Sequence, residues 1–275
     1  MPTVQINGAE HYHEIHGSGA PVLLLHGGFC SLEILRPQLD SLRTHSKVYA
    51  PERPGHGRTA DVDGPITYAQ SVADTLAYMD AVGLDDAHIV GFSDGAIIGL
   101  LIALDHPSRI RSLVAISANL DPGGFVGSDE PSPDQRDETA SEEPASRQSG
   151  REQPTPEQSA PEDADQGTHS IYRDHYAALS PDPPGHVEVV LEKLMHLWTH
   201  EPDIEPARLS RITVPVLVMA GDHDVIRPEH TRLIAASIPH GQLCIVPDAG
   251  HDLMETRPAL VNFVVDEFIS AISDK

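Results

Sequence analysis

The stretch His88-Ile89-Val90-Gly91-Phe92-Ser93-Asp94-Gly95-Ala96 decides how this chain reads. His88 to Val90 has the make-up of the end of a buried strand, and Ala96 to Leu104 (AIIGLLIAL) that of a buried helix. The pentapeptide Gly91 to Gly95 therefore falls at a strand-to-helix turn. A serine on so sharp a turn has a strained backbone and a helix packed close behind it, and glycine on either side removes the bulk that would obstruct this. Such a turn holds the Ser93 hydroxyl outward above a sheet, over the N-terminus of the helix. Partial positive charge at that helix end, with the N–H of Asp94, favours an oxyanion forming beside Ser93. This is the context of a nucleophile elbow.

Upstream, Pro21-Val22-Leu23-Leu24-Leu25 is a continuous apolar run, as expected of a strand buried on both faces, and it ends in His26-Gly27-Gly28-Phe29. Glycines there let a backbone N–H approach a reacting atom, which the second arm of an oxyanion hole requires; a plain tight turn is the alternative. Ser31 to Leu42 reads as an amphipathic helix capped by Ser31, Lys47 to Ala50 as a short strand, and Thr67 to Val82 as a helix capped by Thr67 and stopped at Gly83. At the N-terminus, Thr3 to Ile6 and Glu10 to Ile15 alternate around Asn7-Gly8 as a hairpin. Its histidines His11, His13 and His16 lack the spaced acidic or cysteine partners of a metal site and read as surface strand residues.

Downstream, Ser112 to Ile116 is a further buried strand, after which the composition changes abruptly. Residues 127–168 are almost all Asp, Glu, Pro, Ser, Gln and Ala, with no apolar pattern to bury, which predicts a disordered, solvated insertion. Order is expected again from Ile171, with Tyr172, Tyr176 and Leu179 at helical spacing. Val187 to Trp198 follows as a helix whose apolar side carries Val190, Leu191, Leu194, Leu197 and Trp198. Val214 to Ala220 is a strand ending in Gly221-Asp222-His223-Asp224, Glu229 to Ile238 a helix, and Leu243 to Val246 a strand. The loop Asp248 to Asp252, which carries His251, precedes a last helix over Pro258 to Ile272. Strands and helices that alternate in this way imply a mostly parallel sheet covered on both faces. Polar residues that follow its strands meet at the carboxyl edge.

Charge narrows the function classes. With 42 acidic against 18 basic residues the formal net charge is −24, which argues against nucleic acid or an anionic membrane as partner. Cys30 and Cys244 sit in no paired metal motif and read as small buried hydrophobes in a reducing compartment. No apolar run approaches the roughly 20 residues that span a bilayer, and the N-terminus shows no charged-then-apolar leader, so the expectation is a soluble, cytoplasmic protein. Oligomeric state has no signature in the sequence.

Ser93, Asp224 and His251 each follow a predicted strand, in the order nucleophile, acid, base. That order, the Gly-x-Ser-x-Gly turn and the His-Gly turn upstream resemble the α/β-hydrolase fold family, in the serine hydrolase branch that holds the biphenyl-hydrolase-like and enol-lactonase-like esterases. The resemblance covers nearly the whole chain except the acidic insertion. It implies an α/β core from residues 1–120 and 207–275, with a helical cap over 121–206 that carries the acidic tract. It also implies Ser93 as nucleophile, His251 as base and Asp224 as the acid. Asp222 is the other candidate, but Gly221, Asp224 and Pro228 reproduce the family's Gly-x-x-Asp-x-x-x-Pro pattern. The oxyanion donors implied are the N–H groups of Asp94 and Gly28, with Phe29 as the alternative to Gly28, and the substrate-binding residues Asp94, Phe29 and Trp198.

Asp94 departs from the uncharged residue many relatives place beside the nucleophile. One account is structural, an acid favoured in the first turn of a helix by about 0.3 to 1 kcal/mol. The other is functional, a carboxylate that meets a cationic or hydroxyl-bearing substrate, as in similar enzymes of the biphenyl-hydrolase-like group that favour amino-acid esters. The activity implied is hydrolysis of a small ester, lactone or thioester through an acyl-enzyme, without metal or organic cofactor. Carbon-carbon bond hydrolysis and cofactor-free perhydrolysis are the alternatives within the fold, and a non-catalytic ligand receptor or scaffold is the alternative outside enzymes.

Overall fold

A computed structural model describes residues 2–127 and 173–273 of the chain. The acidic tract expected to be disordered, from Ser128 on, lies outside the described residues, as do Ile171 and Tyr172. Eight strands form one sheet in the order β1-β2-β4-β3-β5-β6-β7-β8. The strands are β1 (Thr3–Ile6), β2 (Ala9–Gly17), β3 (Ala20–Leu25), β4 (Ser46–Pro51), β5 (Ala87–Phe92), β6 (Ile110–Ile116), β7 (Val216–Gly221) and β8 (Gly241–Val246). β1 pairs antiparallel with β2, as the Asn7-Gly8 turn requires, and β2 antiparallel with β4; every later pairing is parallel.

The strands that the sequence shows as unbroken apolar runs are buried on both faces, and their two side-chain sets go to two separate cores. Leu23, Leu25, Ile89, Leu113, Ala115, Val216 and Val218 point to one face. They pack under α2 (Tyr68–Ala81), α3 (Asp94–Asp105) and α5 (Pro228–Ser237). Val22, Leu24, Val90, Val114, Ile116, Leu217 and Met219 point to the other. Here they meet α1 (Arg36–Leu42) and α7 (Pro258–Ser273), with the short α6 (Leu253–Thr256) beside them. A single-residue slip in any central strand would send one core's side chains into the other, so the register is strongly specified.

Between β6 and β7 the described chain holds helical residues 173–179 and α4 (Val187–His200). The buried stripe of α4 is Val190, Leu191, Leu194 and Leu197, the residues its sequence period picks out. The caps predicted for two helices are present: Ser31 Oγ accepts from Glu33 N and Thr67 Oγ1 from Gln70 N. The stretch from Ser31 differs from a simple helix, because Leu32–Leu35 is a tight 3₁₀ turn and the α-helix begins only at Arg36, where Pro37 fits the first turn. His11 also differs from expectation. It is buried rather than on the surface, in the half of β2 that pairs with β1, with Glu52 and Asp74 beside it, and burial lowers its pKa. Cys30 is buried and free, and Cys244 is half-buried and free. Among the described residues no helix is long and apolar enough to cross a membrane.

Candidate active site

Ser93 sits between the last residue of β5 and the first of α3 with φ 52° and ψ −117°, a region that costs a non-glycine residue on the order of 1–3 kcal/mol. The surroundings hold it there. Its N–H donates to Ile116 O, and its own carbonyl accepts from Ala96 and Ile97, the start of the helix ladder. A Cβ on Gly91 would run into the Gly95 backbone, and one on Gly95 into the Leu25 carbonyl, so both glycines of the turn are required by close approach.

The strand ends bring the three separated polar residues together. His251 Nε2 lies 3.2 Å from Ser93 Oγ, and His251 Nδ1 lies 2.8 Å from Asp224 Oδ1. Asp224 is buried and takes two further hydrogen bonds, from Ser117 Oγ to Oδ2 at 2.5 Å and from Ile226 N to Oδ1 at 3.1 Å. Burial pushes its pKa up, but the His251 contact, the Ser117 hydroxyl and the Ile226 N–H together outweigh it and hold the carboxyl below its usual value. With the carboxylate on Nδ1, the ring carries its proton there and turns the Nε2 lone pair to the serine. Asp222, the other candidate acid, faces elsewhere: its Oδ1 accepts from Ala249 N at 3.1 Å and from His223 Nδ1 at 2.8 Å.

Asp94 is buried beside the serine, and its carboxylate is already surrounded by the protein's own donors. Oδ1 accepts from Tyr68 Oη at 2.9 Å and from Trp198 Nε1 at 3.0 Å, while Arg53 Nη2 lies 3.3 Å from Oδ2. The cation it meets in this structure is therefore Arg53, which also donates to Gly27 O at 2.8 Å. Burial, and then the Asp94 charge, drives the Tyr68 hydroxyl well above its usual pKa, so it stays a donor. Trp198 in turn covers Gly28. A Cβ there would lie 2.5 Å from Trp198 Cζ2 and 2.6 Å from Asp94 Oδ2, so glycine is the residue that lets α4 seat on the turn after β3. Phe29, at φ 52°, is buried against the ring of Tyr176, with centroids 6.2 Å apart.

A cavity of about 230 Å³ opens over Ser93 and His251. Phe29, Trp198 and Asp94, the residues expected to meet substrate, line it, and so does Gly28. Its walls are otherwise mostly apolar, with Ile34, Phe92, Phe125 and Leu191 prominent, and Asn119 adds an amide. Sequence reasoning missed Arg53, Tyr68, Ser117 and Asn119. Ser117 and Asn119 do follow a predicted strand, the same signal that marked Ser93. Nothing in the linear pattern ties Arg53 or Tyr68 to Asp94. Among the described residues no group of three or more His, Cys, Asp or Glu is placed to hold a metal.

The profile of the alpha/beta hydrolase family matches residues 22–262, most of the chain and every element that builds this site. The chain belongs to the alpha/beta hydrolase family. As a member it is an enzyme, a hydrolase. It is similar to "Putative carbamate hydrolase RutD" of Caulobacter sp. (strain K31), 29% identical over 271 residues that cover 94% of this chain and 95% of that one. The protein of the same name from Azorhizobium caulinodans is 35% identical over 126 residues, about half of each chain at 46% and 48%. Among solved structures, the enol-lactonase from Burkholderia xenovorans LB400 superposes with a TM-score of 0.71 at 18% identity, covering 98% of this chain and 100% of that one, a likeness of fold.

Proposed function

We propose that this hydrolase is a serine hydrolase that cleaves a small carboxylic ester, lactone or thioester through an acyl-enzyme on Ser93. The observation that supports the reading most is the unbroken hydrogen-bonded line Ser93 Oγ, His251, Asp224, Ser117 under a small apolar cavity. In this reading His251 Nε2 takes the Ser93 proton as the oxygen attacks the carbonyl carbon, and Asp224 steadies the imidazolium. The backbone N–H groups of Asp94 and Gly28 receive the oxyanion, with Phe29 N–H as the alternative to Gly28. His251 then protonates the leaving oxygen or sulfur. Water, deprotonated by the same ring, attacks the acyl carbon, and the proton returns to Ser93 as the acid leaves.

Residues 121–206 act as the cap in this proposal, with Trp198 and Phe29 as walls for the acyl group. A void of about 230 Å³ is below the usual range for drug-sized ligands, which favours a compact substrate. The Asp94 carboxylate is assigned to hold Trp198 and Arg53 rather than a substrate ammonium, since its oxygens already accept from three side chains. A carbamate is the second reading, favoured by the relatives' printed name; where it is an ester the same serine chemistry would apply. The test is pre-steady-state hydrolysis of p-nitrophenyl acetate. A burst of nitrophenol near one equivalent per chain, absent in Ser93→Ala, supports the reading; steady release that survives Ser93→Ala overturns it.

A further inference from the structure

Asn119 follows β6 by three residues, is 4% exposed, and lines the cavity that holds Ser93 and His251. Its Nδ2 donates to the Asp121 carbonyl at 2.9 Å. A carbonyl only accepts, so the amide's NH₂ end is fixed on Asp121 and its oxygen is the end left over. Among the described residues Oδ1 accepts no hydrogen bond. Oδ1 is not one of the fully enclosed unpaired atoms, so it keeps surface in the cavity, where a ligand that brings a donor replaces water's hydrogen bond.

Resting on the serine hydrolase reading above, we propose that Asn119 Oδ1 is a specificity contact that accepts a hydrogen bond from a neutral O–H or N–H group on a compact, otherwise apolar substrate. The oxygen has no charge and cannot donate, so its complement is a donor. The walls around it are apolar at Phe29, Ile34, Phe92, Phe125 and Leu191, which leaves little else for a polar substituent to meet. No lysine or arginine lines the cavity among the described residues, and the Asp94 carboxylate is paired with Arg53. Nothing there favours a substrate anion or a substrate cation over a neutral donor.

The test compares esters that differ only by donor against isostere, followed by acid release in a pH-stat. Ethyl lactate against ethyl isobutyrate and ethyl 3-hydroxybutyrate against ethyl isovalerate exchange O–H for methyl at two positions. Ethyl N-methylcarbamate against ethyl propionate exchanges N–H for CH₂. In at least one pair, Asn119→Leu is expected to lower kcat/KM for the donor-bearing member about tenfold relative to its isostere, the weight of one typical hydrogen bond. If the leucine variant fails to fold, the wild type decides. There, lactamide protects Ser93 from a fluorophosphonate at about tenfold lower concentration than isobutyramide, or N-methylurea than N-methylacetamide. Ratios unchanged in all three pairs, or equal protection within each amide pair, overturn the role of Asn119 and leave the serine hydrolase reading intact. An enzyme that hydrolyses none of these esters and is not labelled at Ser93 overturns both.

Discussion

The indole Nε1 of Trp198 donates to Asp94 Oδ1 at 3.0 Å, which ties α4 to the residue that follows Ser93. The same carboxylate lies against buried Arg53, so its removal leaves an uncompensated charge in the interior. Asp94→Ala is expected to cost on the order of 3 kcal/mol of stability, read as a lower urea midpoint. The wild type is expected to show no preference for an aminoacyl ester over the matched acyl ester. A clear aminoacyl preference that disappears in Asp94→Asn would instead assign the carboxylate to substrate.

Asp224 and Asp222 are two residues apart, yet only Asp224 reaches His251. Asp224→Asn should lower kcat by about 10⁴-fold, because an amide in that place no longer fixes the ring's tautomer. Asp222→Asn should change kcat by less than about tenfold, since that carboxylate serves the turn at Ala249. Comparable losses in both variants would contradict the assignment of the acid.

Gly28 and Trp198 form a coupled pair. A methyl at position 28 meets the indole at 2.5 Å, so Gly28→Ala displaces the ring and lowers kcat/KM, whereas Trp198→Ala opens the cavity and moves the optimum to longer acyl chains. In the double variant the Gly28→Ala penalty should shrink, with a coupling of about 1 kcal/mol or more in a double-mutant cycle. Additive effects would contradict the contact.

Several buried histidines make the fold sensitive to mild acid. Burial, followed by the nearby Arg53 charge, lowers His26 to about 3 from its unfolded value of 6.5. Burial, with Arg111, lowers His88 to about 4. The unfolded chain takes up these protons from about pH 6.5 downward and the folded chain does not. The stability they carry is therefore complete above that pH and is lost as pH falls through the window toward 3. For His26 alone the loss is about 2 kcal/mol at pH 5. Melting temperatures should fall steadily between pH 7 and pH 5, before the carboxylates titrate. A flat profile across that interval would contradict the burial of these rings as neutral groups.

How far the sequence carried the structure depends on the kind of signal. The parallel strands were legible because burial on both faces leaves continuous apolar runs such as Val22 to Leu25. Ser93, Asp224 and His251 were legible because each lies within five residues after a strand, β8 being a partly exposed edge strand, and strand ends in a parallel sheet converge on one edge. His11 reads as a surface residue in the sequence because alternation in a hairpin does not reveal which later segments pack over each face, here those that carry Glu52 and Asp74. The partners of Asp94 were invisible for a different reason. Tyr68, Arg53 and Trp198 reach it from three separate elements, and a buried salt bridge of that span has no periodicity. Asn119 follows a strand as Ser93 does, and only its place in the cavity distinguishes it.

Mass-spectrometric mapping of the adduct formed by a fluorophosphonate reaches the central claim most directly. The account predicts one adduct per chain, on Ser93, formed in step with loss of esterase activity and absent from Ser93→Ala. An adduct on another residue, or hydrolysis that continues in Ser93→Ala at the wild-type rate, would contradict it.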